Sequence, residues 1–263
     1  MTEEEYSLPY LLTGFIFYSF GLKWCCDYAK LWYIPPKQRL NRDSPKLGIF
    51  KRFRTSCVNT LSNHPIEGSL KLIATAIGLA GTMSSGMPDS RAAIISPKVV
   101  HATIYLFFAF SGLVDVLHFY FPYNVTNGLA KMMLAQSFFV EGFLYVYANI
   151  PSENPVINTI LAHAVWLTSL AVALELVWPD VKLLTGALTL LHGSWIAHMV
   201  RVFHTEIYSL QRIYLTFSWH IAAASTITIL AVAITRSCLP REPPPPPQVP
   251  IYDYCNELEI RST

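Results

Sequence analysis

The sequence predicts an all-α integral membrane protein, a bundle of seven transmembrane helices with its N-terminus outside or lumenal and its C-terminus cytosolic. Three observations predict it. The 263-residue chain is 52% hydrophobic and only 14% charged, where a soluble domain carries about 25% charged residues, and its mean hydropathy is +0.37. Seven apolar runs each approach the about 17–25 residues that a helix needs to cross a hydrocarbon core. The basic residues gather on one side of those runs.

The runs follow in order. The first, 6–22, is ended by Lys23. Its acidic start (Glu3, Glu4, Glu5) and the lack of a small-residue cleavage site make it a retained span, not a signal peptide. The second, 72–88, lies between Lys71 and Asp89. Its small residues Ala74, Gly78, Gly81, Ser84 and Ser85 permit close helix approach, inside the bundle or in a homo-oligomer. The third is 99–121, the fourth 132–150 and the fifth 156–178. The sixth, 183–200, is framed by Lys182 and Arg201, and the seventh, 213–234, is ended by Arg236. Backbone polar groups in lipid must be satisfied internally, so runs of this length are read as helices. They lack the alternation of barrel strands.

Orientation follows from lysine and arginine. Fifteen of the 19 basic residues fall on one side, eight of them in the 27–65 loop; Arg91, Lys98, Arg201 and Arg212 fall on the other. That loop is therefore expected in the cytosol, where its charge suits the anionic leaflet. Cys25, Cys26, Cys57, Cys238 and Cys255 then all face the reducing side, and the three next to span ends are either free thiols or palmitoylation sites. Asn124-Val125-Thr126 matches the glycosylation pattern but falls in a cytosolic loop, so no glycan is expected. Residues 1–239 make one membrane domain. Residues 240–263 make a disordered tail, where Pro243–Pro247 offers a polyproline II ligand for an SH3 or WW groove. Tyr254 with Asn256 fits an SH2 pattern. Net charge is +2, with no basic excess pointing to nucleic acid.

Within the spans lie His101, Asp115, Glu141, His163, Glu175, His192, His198 and His220. A charge at the bilayer centre costs about 2.5–3.5 kcal/mol on insertion scales, so such residues face a bundle interior or a wet cavity. At 100° per residue, His101, Tyr105, Phe108, Gly112 and Asp115 share one face of the third span over about 21 Å. Depths divide the set into an outer histidine group around Glu141 and an inner carboxylate group, Asp115 and Glu175, with Glu67 at the mouth. His101, Glu141, His163, His198 and His220 have the donor chemistry of a divalent metal site, although no short ligand spacing occurs. A proton relay and a structural hydrogen-bonded network fit the same residues. His192 and His198 stand about 120° apart on their helix, so they do not share one ion. Gly193-Ser194-Trp195 is no nucleophile elbow.

The run from His101 through Tyr105 to Asp115 resembles the signature of the transmembrane protein 45 family, seven-span proteins with plant viral-response relatives. Phe139-Val140-Glu141-Gly142-Phe143-Leu144-Tyr145, Leu174-Glu175, Gly193-Ser194-Trp195 and Trp219-His220 resemble its later motifs. The resemblance covers 97–234 and marks His101, Asp115, Glu141, Glu175, Trp195 and His220; a glutamine is familiar where His192 stands. It implies a multi-pass protein of Golgi, endosomal or lysosomal membranes, with the plasma membrane the other location considered. It carries no biochemical activity with it. There is a fainter analogy to seven-span ceramidase-type metal hydrolases, but here Ser111 is followed by Asp115 and no His-x-x-x-His occurs. Proton- or ion-coupled transport or binding is the leading expectation. A structural or trafficking role comes second and an intramembrane metal-dependent hydrolase third.

Overall fold

A computed structural model of the protein describes residues 4–31, 65–84, 97–148, 155–203 and 209–238. These hold seven long helices, α1 (Glu4–Leu31), α2 (Ile66–Ser84), α3 (Pro97–Tyr120), α4 (Asn127–Tyr147), α5 (Pro155–Leu174), α6 (Lys182–Phe203) and α7 (Leu210–Cys238), and a 3-10 turn, Pro179–Val181. No strand occurs among the described residues. Four helices, α3, α4, α5 and α7, are long and apolar enough to cross a membrane.

Helix boundaries differ from the expected spans for local reasons. α1 runs on through Lys23 because that lysine pairs with Asp27 one turn later, at 2.8 Å. α4 starts at Asn127, ahead of the expected 132, because the Thr126 side chain accepts the Leu129 N–H at 3.2 Å. α5 stops at Leu174, short of 178, because Pro179 disfavours helical backbone in the residue before it and cannot donate to a helix. Residues 85–88 of the second expected span, the 32–64 stretch of the basic loop and the 240–263 tail lie outside the described residues, as do Cys57 and Cys255.

The helices form a ring in which α1 meets α6, α6 meets α5, and α5, α4, α3 and α2 follow in turn; α2 closes loosely on α1, and α7 packs outside α1 and α6. Glycine sets the tightest contact. Gly14 lies against Gly193 and Gly21 against Gly186, an antiparallel crossing with both pairs two turns apart. A Cβ on Gly193 would come within 2.5 Å of the Tyr18 backbone nitrogen. Small residues drive such close helix association in lipid, where there is no hydrophobic effect between helices. Similarly, Gly68 faces Gly112 between α2 and α3, and Gly78 lies under the Tyr105 ring. α2 therefore uses these glycines inside the bundle, whereas Gly81 meets open space. Across α4 and α5, Trp166 donates to the Phe139 carbonyl (3.2 Å) and Ser169 to that of Ala135 (2.7 Å).

The periphery is apolar. Phe15 of α1, Ile73 and Ile77 of α2, Phe110 of α3, Phe139 of α4, Leu167 of α5, Leu184 of α6 and Ile229 of α7 are all exposed. Patches of this extent on every long helix are foreign to a soluble monomer. By contrast Lys71, Ser111, Glu141, Thr168, Thr189 and His192 are buried.

Candidate functional site: a charged vestibule and a buried carboxylate–imidazole pair

At the end of the ring where α1 and α3 finish and α2, α4 and α6 begin, a vestibule of about 700 Å³ opens. Its charges come from consecutive helices. Lys23 of α1 bridges Asp27 and Glu67. Lys71 of α2 reaches Asp115 at 2.6 Å and Glu67 at 3.5 Å. Lys131 of α4 holds Glu175, just past α5, at 2.7 Å. Trp24 donates its indole N–H to Glu67 at 3.0 Å, and the Lys71 ammonium sits 5.9 Å from the Trp24 ring centre. His118 donates through Nδ1 to the Val125 carbonyl (2.6 Å), which pins the α3–α4 turn.

These pairs shift the ionisation of the groups outside the spans. Burial alone would raise the Glu67 carboxyl; the Lys71 and Lys23 charges, with hydrogen bonds from Lys23 and Trp24, overcome it and hold Glu67 at about 2. Asp27 is likewise lowered, Lys23 and Lys30 outweighing its burial. Lys23 is raised by Glu67 and Asp27 against its own burial.

Beyond the neck formed by Trp24, Lys71 and Leu134, a smaller apolar chamber of about 50 Å³ reaches toward the bundle centre. Phe17, Phe108 and Phe138 close on one another there with ring centres 5.2–5.8 Å apart. Thr13 and the Tyr105 hydroxyl share one hydrogen bond there (3.1 Å), and Thr75 donates to the Lys71 carbonyl (2.8 Å).

Two of those phenylalanines also flank the most unusual pair in the molecule. His192 Nε2 lies 3.2 Å from Glu141 Oε1, with both side chains essentially closed to solvent. The ring of Phe17 lies 4.2 Å from that of His192 and Phe138 lies 5.9 Å away. The distance suits a hydrogen bond but the alignment does not, so both carboxylate oxygens and both ring nitrogens are without a hydrogen-bond partner. Buried polar atoms are paired in the great majority of cases, so four orphans in one place call for an explanation. Tyr105 and Tyr145 lie within electrostatic range of Glu141.

The other residues singled out in the sequence go elsewhere. His101 turns to the edge of Tyr10, with ring centres 5.3 Å apart. Ser194 donates its hydroxyl proton to the Leu191 carbonyl (2.9 Å) and so accepts from His220 Nδ1 at 3.0 Å. Trp195 is buried and packs with His198, Phe217 and His220. His163 is exposed and bonds its own helix at the Thr159 carbonyl (2.6 Å). The outer group of His101, Glu141 and His220 is thus not one site. Among the described residues no three His, Cys, Asp or Glu side chains converge as metal ligands, so His101, Glu141, His163, His198 and His220 form no common centre. His192 and His198 do part, one toward α1 and α4, the other toward α7. Asp115 and Glu175 both line the vestibule, paired there with Lys71 and Lys131. Their pairing is foreshadowed in the sequence only by lysines at run ends that stand opposite carboxylates at the ends of neighbouring runs. No family model matches the chain.

Proposed function

We propose that this chain is a seven-span protein of an internal membrane, of the transmembrane protein 45 type, that moves a small solute together with a proton. The observation that carries the reading is the enclosed Glu141–His192 pair, with Phe17 and Phe138 between it and an apolar cavity in the bundle. A carboxylate beside an imidazole within a span is the pairing of group types that proton relays in membrane proteins use, and a cavity open at one end of the ring gives a solute a way in. The apolar outer faces of α1, α2 and α6 support spans for these helices as well as for α3, α4, α5 and α7. The lysine-rich vestibule belongs on the cytosolic side by the positive-inside rule, with the N-terminus lumenal. Golgi, endosomal or lysosomal residence rests on the family resemblance. The saturated ion pairs of the vestibule favour a second reading, a structural or trafficking protein whose polar residues only fix the helices.

A flux assay on purified protein in vesicles loaded with a pH dye separates the two. The transport reading expects luminal pH to move when one class of organic acids, amines or amino acids is added outside. Folded protein that moves protons with none of them overturns it in favour of the structural reading.

A further inference from the structure

The residues around Glu141 stack in layers across α1, α3 and α4. Phe17, Phe108 and Phe138 make one aromatic layer, with ring centres 5.2–5.8 Å apart. Two turns from them, about 10 Å along each helix, stand Trp24, Asp115 and Lys131, which line the vestibule. α1 and α3 finish at that end and α4 begins there, so the far direction runs backward along α1 and α3 and forward along α4. One turn that way come Thr13, Tyr105 and Glu141. Two turns that way come Tyr10, His101 and Tyr145. The rings of Tyr10 and His101 meet with centres 5.3 Å apart, Tyr145 is buried, and His101 is half-buried one turn inside the start of α3. Glu141 therefore has a purely aromatic layer on its vestibule side and a layer of phenol and imidazole groups on its far side.

Tyr105 stands where these layers meet. Its hydroxyl and that of Thr13 share one hydrogen bond of 3.1 Å, which uses one of their two protons. With Thr13 as the donor, the Tyr105 proton can turn to Glu141, whose two oxygens have no hydrogen-bond partner and whose charge the phenol feels. The ring is held in place over Gly78, where a Cβ would come within 2.7 Å of it. The same hydroxyl pair lines the apolar chamber. Among the described lining residues between it and Lys71, the one hydroxyl is that of Thr75, which donates to the Lys71 carbonyl. The denser run of polar groups from Glu141 thus leads away from the vestibule. We infer that Glu141 exchanges its proton with the membrane face opposite the vestibule, by way of the Tyr105 hydroxyl and the Tyr10–His101–Tyr145 layer. The inference rests on the proton chemistry proposed for the Glu141–His192 pair and adds its route. In the step, the Tyr105 O–H bond breaks as the Glu141 O–H bond forms, and the Tyr105 oxygen takes a proton handed on from the His101 end. No charge stays on the phenol, and the reverse order releases the proton.

The test is time-resolved infrared difference spectroscopy on the full chain in vesicles, sorted by a tag at Thr263 into the two orientations. An acid step is applied outside, and Glu141 is read as the carboxyl band that Glu141→Gln removes. The band should rise at least ten-fold faster when the acid meets the face opposite the vestibule. Tyr105→Phe keeps the ring over Gly78 and removes the hydroxyl. It should slow the band at least ten-fold from that face and move it to higher frequency, because the carboxyl loses a hydrogen bond. His101→Gln should slow it as well. Where a variant fails to fold, the comparison of the two orientations of the parent decides alone. Equal rates from both faces, faster entry from the vestibule face, an unchanged band and rate in Tyr105→Phe, or no band that depends on Glu141 each overturns the inference. The transport reading fails separately. Glu141 that takes its proton from the far face in a protein that moves no solute leaves the route standing and removes transport. Solute-driven proton flux that persists in a Tyr105→Phe protein with an unchanged band does the reverse.

Discussion

Glu141 and His192 are each enclosed, and each is the other's nearest ionisable partner. Removing one partner of a buried pair leaves the other uncompensated and costs about 3–5 kcal/mol, whereas replacing both by apolar residues is often neutral or stabilising. Glu141→Leu and His192→Leu should therefore each lower the melting temperature, and the double variant should recover it. Thermal unfolding of the four proteins is the check, and single effects that simply add would show that the two groups are uncoupled. Glu141 was legible in the sequence as a carboxylate inside an apolar run, but its partner was not. Angle and depth along one helix say where a side chain stands on that helix; which helices are neighbours depends on packing. The glycine pairs of α1 and α6 bring His192 inward, and no spacing in the chain announces that. Lys71 shows the complementary failure. It marks the start of a span, and its pairing with Asp115 appears only when α2 and α3 lie side by side.

At the scale of helices, the Gly14–Gly193 and Gly21–Gly186 contacts place backbone against backbone. Backbone cannot swing aside as a flexible side chain can, so Gly193→Ala should cost at least the about 1–3 kcal/mol typical of overpacking. Gly81→Ala meets open space and should be neutral or gain up to about 1 kcal/mol from helix propensity. Equal melting temperatures for the two variants would contradict the close crossing. The α1–α2 junction has a pH signature. Glu67 is held at about 2 against an ordinary 4.5, so its ion pairs stabilise the fold above pH 4.5, and that stabilisation is lost as pH falls toward 2. Glu67→Gln should be less stable than the parent at neutral pH, and the gap should close on acidification. A gap constant from pH 6 to pH 2 would show that the carboxylate is not held in this way. Among the described residues, the order and helical type of the long elements were readable from run length. Their ends were less so, because Thr126, Pro179 and the Lys23–Asp27 pair act through one or two local contacts that hydropathy does not register.

For the molecule as a whole, the positive-inside asymmetry makes a claim about sidedness. A tag at Thr263 should be reached by antibody only after the membrane is permeabilised, and Asn124, exposed in the α3–α4 turn, should carry no glycan. A glycan there would reverse the orientation and turn the vestibule to the lumen. The central claim, however, is that the buried pair handles a proton that the solute needs in order to move. The most direct measurement is solute-driven proton flux into vesicles holding equal amounts of folded parent and Glu141→Gln protein. The account predicts flux with the parent and none with the variant, while solute binding to the variant survives. Equal flux from both proteins would contradict it.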